Sequence, residues 1–357
     1  MRASSPINLL APIFGAEPSS KKLGFFLMKY HIIAFGCQFN KADAEKIARL
    51  LEKKGYKQSP TADRADLVVI LVCSVRQKSI DKVKNQISRL RQGFCGQSKN
   101  QKIILTGCIL PNDKKMFEKM GVEITKFKNL DKIKPKTGLV IIGNGCNNFC
   151  SYCAVPYTRG REKYRQPKKI LCEANYLIKK GAKEITLIAQ NVNSYKHGKT
   201  DFADLLKMVN DLPGYFKIRF LTNHPKDMTE KLIEAIAQCD KIKKAIHLPF
   251  QAGDNAILKK MNRKYTREQY LKLVAKIKKQ IPNVVLTTDI IVGFPGETKK
   301  QFKKTVEVMK KVGFKQAFVA KYSPREGTTA YKLKDNVPLE EKKRREQILR
   351  KFLISNF

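Results

Sequence analysis

Three cysteines in the middle of the chain have a spacing that suits a metal cluster. Cys146, Cys150 and Cys153 form a C-x3-C-x2-C pattern directly after an apolar run, residues 139–143. A [4Fe–4S] cluster normally takes four cysteine ligands. Three thiolates leave one iron without a protein ligand, and that iron is free to bind a cofactor or substrate. A closed zinc site needs four ligands, and the next histidine is distant His197. The pattern therefore favours an iron–sulfur cluster over a zinc knuckle.

A second set of three cysteines is spread along the first third of the chain. Cys37, Cys73 and Cys108 each follow an apolar run that predicts a strand, at residues 31–35, 67–72 and 102–106. Predicted helices at 42–54, 77–90 and 112–119 alternate with these strands, which is typical of a parallel sheet. The carboxyl ends of parallel strands meet at one edge, where open α/β sheets bind ligands. Each cysteine alone could be a small buried hydrophobic residue, but together they predict a second cluster with an open iron.

Charge and cysteine usage indicate the environment and the class of partner. The chain has 72 Lys and Arg against 31 Asp and Glu, a net charge of +41. Such a charge attracts polyanions, so nucleic acid is the expected partner, although a compositional bias towards Lys is the alternative. Nine cysteines in a chain without a clear secretory signal indicate metal chemistry in a reducing cytoplasm. No apolar run approaches the roughly 18 residues of a membrane span, so we expect no membrane partner.

The alternation of strands and helices predicts an α/β protein with two domains. Residues 28–130 are expected to form a small doubly wound parallel-sheet domain. Residues 131–137 suit a linker, and residues 138–335 are expected to form a partial (βα)6 barrel, since six βα units are too few for a full barrel. Residues 336–357 predict a charged helix. Residues 1–27 are interpreted as a disordered, dispensable leader, with Met28 as the true start. The six predicted barrel strands are 139–143, 184–189, 217–221, 245–250, 284–292 and 316–322.

The motifs as a set resemble the radical S-adenosylmethionine methylthiotransferases, with the greatest likeness to those that act on N6-dimethylallyladenosine of tRNA. The likeness extends over roughly residues 29–350. It is carried by the following stretches: GCQFN at 36–40, CSVR at 73–76, TGC at 106–108, CNNFCSYC at 146–153 continuing to RGR at 159–161, QNVNSY at 190–195, HLP at 247–249 with Gln251, and TDIIVGFPGE at 288–297.

The resemblance implies a separate task for each cluster. Cys146, Cys150 and Cys153 would hold the cluster that binds S-adenosylmethionine and cleaves it to a 5′-deoxyadenosyl radical. The set of Cys37, Cys73 and Cys108 would hold an auxiliary cluster that carries the sulfur to be methylated. The radical would then remove hydrogen from C2 of an adenine next to the anticodon, where the methylthio group attaches.

Less specific expectations concern the cofactor and the substrate. Gln190 and Asn191 follow the second barrel strand and are expected to hold the methionyl end of S-adenosylmethionine. Gln251 is expected at the ribose, and the backbone from Ile291 to Gly293 at the adenine. Arg159 and Arg161 are expected either to contact substrate phosphate or to lie in a solvated loop.

The expected partners are the anticodon arm of tRNA and an electron donor such as flavodoxin or ferredoxin. Members of this family usually continue into a C-terminal RNA-binding TRAM domain. This chain ends at Phe357, before such a domain, so the expectation is that its basic surface holds the RNA.

Three alternatives stay open at this stage. The same chemistry could act on threonylcarbamoyl-adenosine of tRNA or on an aspartate of a ribosomal protein. Residues 74–76 and 190–195 look more like the dimethylallyladenosine enzymes, and a charge of +41 would repel a basic ribosomal protein. A zinc-stabilised, non-catalytic RNA-binding module would explain the charge and residues 146–153. It leaves Cys37, Cys73 and Cys108 without a role.

Overall fold

The structure is a computed structural model, and it describes residues 28–75, 77–92, 101–128 and 130–354. The predicted leader, Cys95 and the last three residues of the predicted C-terminal helix lie outside the described residues. No helix in the described ranges is long and apolar enough to cross a membrane.

The first third of the described chain folds around one parallel sheet with strand order β2-β1-β3-β4-β5. Its elements in chain order are β1 (Lys29–Ala34), α1 (Gln38–Lys53), β2 (Lys57–Gln58), β3 (Leu67–Cys73), α2 (Gln77–Gln92), β4 (Lys102–Cys108), α3 (Pro111–Lys119) and β5 (Glu123–Ile124).

Helices cover both faces of this sheet, as the burial of its central strand shows. Every residue of β3, LVVILVC, is buried, as expected for a parallel strand between two layers of helices. One apolar cluster joins alternate residues of β3 to α2, and the other joins the remaining residues to α1. The doubly wound prediction is confirmed.

The rest of the described chain forms six further parallel strands in two three-stranded sheets, ordered β6-β9-β12 and β13-β14-β15. The elements are β6 (Leu139–Ile141), β7 (Gly143–Asn144), α4 (Val155–Arg159), β8 (Lys163–Tyr164), α5 (Pro167–Lys179), β9 (Glu184–Ile188), β10 (Lys196–His197), β11 (Thr200–Asp201), α6 (Phe202–Asn210), β12 (Lys217–Leu221), α7 (Glu230–Gln238), β13 (Ala245–His247), α8 (Asn255–Lys260), α9 (Arg267–Gln280), β14 (Val285–Val292), α10 (Lys299–Val312), β15 (Gln316–Lys321) and α11 (Leu339–Ile354).

These six strands run in consecutive order around an open barrel, and one continuous apolar core lies between them and their helices. Strands β12 and β13 are not paired as a ladder in the described residues; Ile218 of β12 instead forms an isolated bridge with Ile242, three residues before β13. Among these strands β6 and β15 are the edges; α1 packs against β6, and α11 packs against β15. The prediction of a partial (βα)6 barrel is confirmed.

Several element ends follow from local chemistry that the sequence makes visible. Helix α10 begins with a capping box between Thr298 and Gln301, and it ends at Gly313, whose φ of +65° is left-handed. Other ends differ from the prediction. Helix α1 begins at Gln38, one turn before the predicted start at 42, and β13 ends at His247 rather than at 250.

Two buried charge networks join the two parts of the chain. Lys46 of α1 lies 3.6 Å from Glu173 of α5, which also accepts a 2.6 Å hydrogen bond from Arg165. Arg325, which follows β15, pairs with Asp113 of α3 at 2.5 Å. Buried charges need partners because water no longer solvates them, so these contacts fix the approach of the two parts.

Candidate cluster and cofactor sites

The structure brings Cys37, Cys73 and Cys108 to one edge of the first sheet. Cys73 and Cys108 are the last residues of β3 and β4 and are directly paired in register. Cys37 is the residue directly before α1, at its N-cap position, and follows β1. The turn before it lies against Cys73, because a Cβ added at Gly36 would come within 2.6 Å of the Cys73 Cβ. Cys73 and Cys108 are buried and Cys37 is exposed, so this group is reachable from one side.

Asn40 organises this edge. Its amide nitrogen donates to the carbonyl of Phe35 at 2.7 Å and to that of Val72 at 2.9 Å. Phe35 precedes Cys37 by two residues, and Val72 precedes Cys73 by one. The Asn40 side chain is fully buried. It therefore ties together the backbones that carry two of the three cysteines.

Arg159 reaches this edge from the barrel, and its side chain holds Cys108. Its Nε donates to Cys108 Sγ at 2.9 Å, and its Nη2 donates to Asn40 Oδ1 at 2.9 Å. Burial raises the pKa of the Cys108 thiol, and the guanidinium acts in the opposite direction. Arg159 is thus neither solvated nor available to a substrate phosphate, whereas Arg161 is exposed. Sequence reasoning missed Asn40 and the role of Arg159.

The second cysteine set lies in a loop enclosed by a small hairpin. Strand β7 leads into this loop, α4 follows it, and β8 returns to pair antiparallel with β7. The loop is held at both ends: Gly145 N donates to Gln190 Oε1 at 2.6 Å, and Ser151 N donates to the carbonyl of Met261 at 3.0 Å. Cys146 and Cys150 are buried, and Cys153 is half-buried. Gln190, predicted as a cofactor contact, therefore supports the cysteine loop directly.

Arg263 donates a hydrogen bond to a cysteine of this second set, just as Arg159 does to a cysteine of the first set. Its Nη1 donates to Cys150 Sγ at 3.4 Å, and its Nη2 donates to the carbonyl of Pro249 at 2.8 Å. Burial raises the pKa of the Cys146 thiol to about 11, and raises that of Cys153 further. These thiols are protonated at neutral pH and would lose their protons on binding iron.

Buried acceptors without partners test whether S-adenosylmethionine fits beside this loop. Asn191 Oδ1, Asn223 Oδ1 and Gln251 Oε1 are buried and have no hydrogen-bond partner within the described residues. They follow β9, β12 and β13, so they share the carboxyl edge of the barrel with Cys146. Buried polar groups need partners, and an ammonium group and ribose hydroxyls supply the donors that these oxygens lack. The residues present fit the cofactor.

Ile291 and Gly293, which were predicted to lie at the adenine, make contacts within the protein itself. Ile291 N donates to the Gln251 carbonyl at 3.0 Å, which fixes Gln251 beside β14. Gly293 has a φ of +67°, and a Cβ added there would meet the side chain of Lys342 at 2.3 Å. Its N–H donates to Glu297 Oε2 at 2.7 Å. Gly293 is thus required by the approach of α11, and its contact with adenine stays a prediction.

No three Cys, His, Asp or Glu side chains in the described part of the chain converge closely enough to hold a single metal ion. Cysteines that bind different irons of a four-iron cluster stand farther apart than the ligands of one ion. The described residues therefore contain no preformed site for a single zinc ion.

A cavity of about 390 Å³ lies between the two parts of the chain, close to the first cysteine set. Thr106 and Gly107, which precede Cys108, line one side, and residues of α1, β6, β7 and β8 line the others. The lining carries one carboxylate, Asp43, which pairs with Arg159, and four further basic side chains, Lys46, Lys126, Lys163 and Arg165. The net positive charge of this lining attracts anions to the cavity.

Known proteins match both parts of the chain. Residues 140–309 match the Radical SAM superfamily, and residues 29–128 match the Uncharacterized protein family UPF0004. Among solved structures, the radical S-adenosylmethionine methyltransferase TsrM from Kitasatospora setae has a TM-score of 0.55 at 13% identity, covering 82% of this chain and 74% of its own. The cobalamin-dependent radical enzyme OxsB has a TM-score of 0.55 at 11% identity, covering 97% of this chain and 61% of its own. These likenesses show the fold, that of a radical S-adenosylmethionine protein.

Sequence relatives narrow this class. The tRNA-2-methylthio-N(6)-dimethylallyladenosine synthase of Clostridium botulinum strain Loch Maree is 42% identical over 89% of this chain and 79% of its own length. The enzymes of the same name from Syntrophomonas wolfei and Desulfitobacterium hafniense are 41% and 40% identical, each over 89% of this chain and 80% of their own. The chain belongs to the tRNA-2-methylthio-N(6)-dimethylallyladenosine synthase family.

Proposed function

We propose that this protein adds a methylthio group to C2 of N6-dimethylallyladenosine next to the anticodon of tRNA. The observation that carries this conclusion is the presence of two cysteine sets, each at the carboxyl edge of its own parallel sheet, in a chain of this family. The cofactors are two [4Fe–4S] clusters and S-adenosylmethionine, which supply the one-electron chemistry that can break an unactivated C–H bond.

The proposed ligands follow from the site geometry. Cys146, Cys150 and Cys153 hold the cluster that binds S-adenosylmethionine, and the buried oxygens of Asn191, Asn223 and Gln251 accept hydrogen bonds from that cofactor. Gln190 fixes the cysteine loop through Gly145. Ile291 positions Gln251, and the backbone as far as Gly293 lies along the adenine. These side chains hold the cofactor in one orientation, which is the main contribution of protein to such chemistry.

The auxiliary cluster is proposed on Cys37, Cys73 and Cys108. The exposed Cys37 leaves one side of this site open, whereas Cys73 and Cys108 shield the other side from water. The corresponding domains are 28–130 for this cluster and 138–335 for the barrel, which is followed by helix α11 (Leu339–Ile354).

The partners follow from the same chemistry. The substrate is tRNA, held at its anticodon arm, and its phosphates are attracted by a net charge of +41. The target base leaves its stack to reach the site between the two cysteine sets. The reaction also needs an electron, which we assign to a donor of the flavodoxin or ferredoxin kind, and we infer a cytoplasmic location.

The test is mass spectrometry of tRNA nucleosides from a strain in which the gene is deleted. The methylthio form of N6-dimethylallyladenosine should disappear and the form without methylthio should accumulate. Plasmids carrying the Cys73→Ala or Cys150→Ala variant should not restore it, whereas Cys172→Ala, in an exposed cysteine of α5, should restore it fully. Loss of the methylthio group from threonylcarbamoyl-adenosine alone would assign the chain to the other tRNA substrate.

A further inference from the structure

Arg159 joins the two cysteine sets. It is the last residue of α4, which begins two residues after Cys153, and its side chain crosses to the first sheet. There it meets Cys108 at 2.9 Å and Asp43 of α1 at 3.0 Å. One side chain therefore runs from the loop of the barrel cysteines to a ligand of the proposed auxiliary cluster.

The guanidinium of Arg159 is held in one orientation. Its Nε, Nη1 and Nη2 donate to three different side chains, those of Cys108, Asp43 and Asn40. Its plane also lies over the Phe39 ring, with the central carbon 4.4 Å from the ring centroid. The side chain is only 12% exposed. A cation fixed in this way acts on Cys108 with little screening by solvent.

A fixed positive charge that is hydrogen-bonded to a cysteine ligand has a defined effect on an iron–sulfur cluster. Hydrogen bonds to the sulfurs and the net local charge set the reduction potential. Reduction adds a negative charge, which a neighbouring cation stabilises. Asp43 offsets part of this charge, but it lies on the far side of the guanidinium, paired through Nη1 rather than Nε.

We propose that Arg159 is a positioning residue that fixes the Cys108 ligand and raises the reduction potential of the auxiliary cluster. This inference rests on the proposed function only in that Cys37, Cys73 and Cys108 hold a cluster. Because Arg159 belongs to the barrel part of the chain, the auxiliary cluster has its working potential only when the barrel is docked.

The test uses the full-length chain with Cys146, Cys150 and Cys153 all replaced by Ala, so that only the auxiliary cluster gives a signal. Arg159→Gln and Arg159→Lys are introduced into this parent, and the midpoint potential is measured by redox titration followed by electron paramagnetic resonance. Arg159→Gln removes the charge and should make the potential more negative. Arg159→Lys keeps the charge without the three-way geometry and should give a smaller shift in the same direction.

Arg325→Gln is the matched control. Arg325 also crosses between the two parts, pairs with Asp113 at 2.5 Å and is buried, but its partners Asp113 and Gln77 carry no thiol. Arg325→Gln should lower the melting temperature as Arg159→Gln does, without moving the potential.

The outcomes separate the two hypotheses. An Arg159→Gln cluster with the parent potential overturns the proposal, as does an equal shift in Arg325→Gln. Loss of the cluster from Arg159→Gln together with an unshifted Arg159→Lys also overturns it and leaves a structural role. Absence of any cluster from the parent contradicts the proposed function instead.

Discussion

Asn40 uses both N–H donors and the carbonyl oxygen of its side chain at the proposed auxiliary site. Two donors go to the backbones before Cys37 and Cys73, and the acceptor receives Arg159, which holds Cys108. The amide is the side chain that suits this position, since a carboxylate of the same shape has no donor for the two carbonyls. The positions of all three proposed ligands thus depend on one buried side chain that is not itself a ligand.

Asn40→Asp should therefore empty the auxiliary site while sparing the barrel site. The change breaks two buried hydrogen bonds, each with a cost of about 1–3 kcal/mol because the carbonyls stay buried without a donor. The anaerobically reconstituted chain should then contain about four irons and four sulfides instead of about eight of each. Reductive cleavage of S-adenosylmethionine should continue.

Asn193→Asp serves as the control. Asn193 is also buried and exchanges two backbone hydrogen bonds, both with His224, far along the chain from the auxiliary cysteines. It should lower stability and keep the auxiliary cluster. Full iron content in Asn40→Asp would contradict the organising role of Asn40.

His224 makes the stability of the fold depend on pH. It is 5% exposed, and burial, with help from Arg263 and Lys226, lowers its pKa from 6.5 to about 2. Between these values the unfolded chain binds a proton that the folded chain does not. The contribution of His224 to the free energy of unfolding is therefore fully present above pH 6.5. Below pH 6.5 this contribution falls by about 1.4 kcal/mol per pH unit.

His224→Asn should flatten this dependence. Asn keeps an acceptor for the backbone N–H of Lys226, which His224 Nδ1 accepts at 3.2 Å, but it does not titrate. Urea midpoints of the cluster-free chain between pH 7.5 and 5.5 should fall less in the variant than in the parent. Parallel pH profiles would show that His224 does not cause the acid sensitivity.

At the scale of elements, the turn from β1 to α1 requires glycine at position 36 for two reasons: a left-handed backbone conformation and a close approach to β3. Gly36 has a φ of +110°, and a Cβ there would come within 2.6 Å of the Cys73 Cβ. Gly55, after α1, also has a positive φ, +86°, with nothing within 4 Å of an added Cβ. The two glycines share the conformational requirement, and only Gly36 has the close approach.

Gly36→Ala should therefore push the turn after β1 away from β3, and the variant should lose the iron of the auxiliary cluster. Gly55→Ala should keep that iron. Each substitution costs about 1–2 kcal/mol for the left-handed conformation. The difference between them in iron content and in urea midpoint isolates the effect of crowding at Cys73. Equal behaviour of the two variants would mean that the close approach can be relieved by a small shift.

The elements show why the sequence predicts that three cysteines meet at one sheet edge and does not predict which residues contact them. Cys37, Cys73 and Cys108 meet because parallel strands end at one edge, and the apolar runs before them identify those strands. Nothing in a local pattern states that Arg159 crosses to another sheet, since that contact joins residues 51 positions apart. The β7–β8 hairpin was missed for a related reason: two-residue strands carry no periodicity.

At the scale of the whole molecule, charge alone does not say where RNA lies. A net charge of +41 attracts phosphate over much of the surface. Tyr157 is a more specific feature, because it lies on α4 directly after the barrel cysteines and is 43% exposed. Its ring meets Phe149 of the cysteine loop edge to face, with centroids 6.2 Å apart. An exposed aromatic ring beside the proposed cofactor loop suits stacking with an unpaired base.

Tyr157→Ala should therefore weaken tRNA binding by about 1–3 kcal/mol, roughly fivefold to 150-fold in Kd. Tyr215→Ala removes a ring that is 84% exposed and lies before β12, at the amino end of the barrel strands. It should leave the Kd unchanged. The measurement is titration of tRNA at one fixed salt concentration, and equal losses in both variants would point to a non-specific effect of surface aromatics.

The two edge strands of the barrel have consequences for its synthesis on the ribosome. An uncovered strand edge can pair with another chain, and domains fold from the N-terminus as they emerge. Helix α1, which packs against β6, is made before β6. It can therefore cover the β6 edge as soon as that strand emerges. Helix α11, which packs against β15, is made after it. The nascent chain is therefore most exposed to aggregation, and most in need of a chaperone, in the interval after β15 has emerged and before α11 has followed.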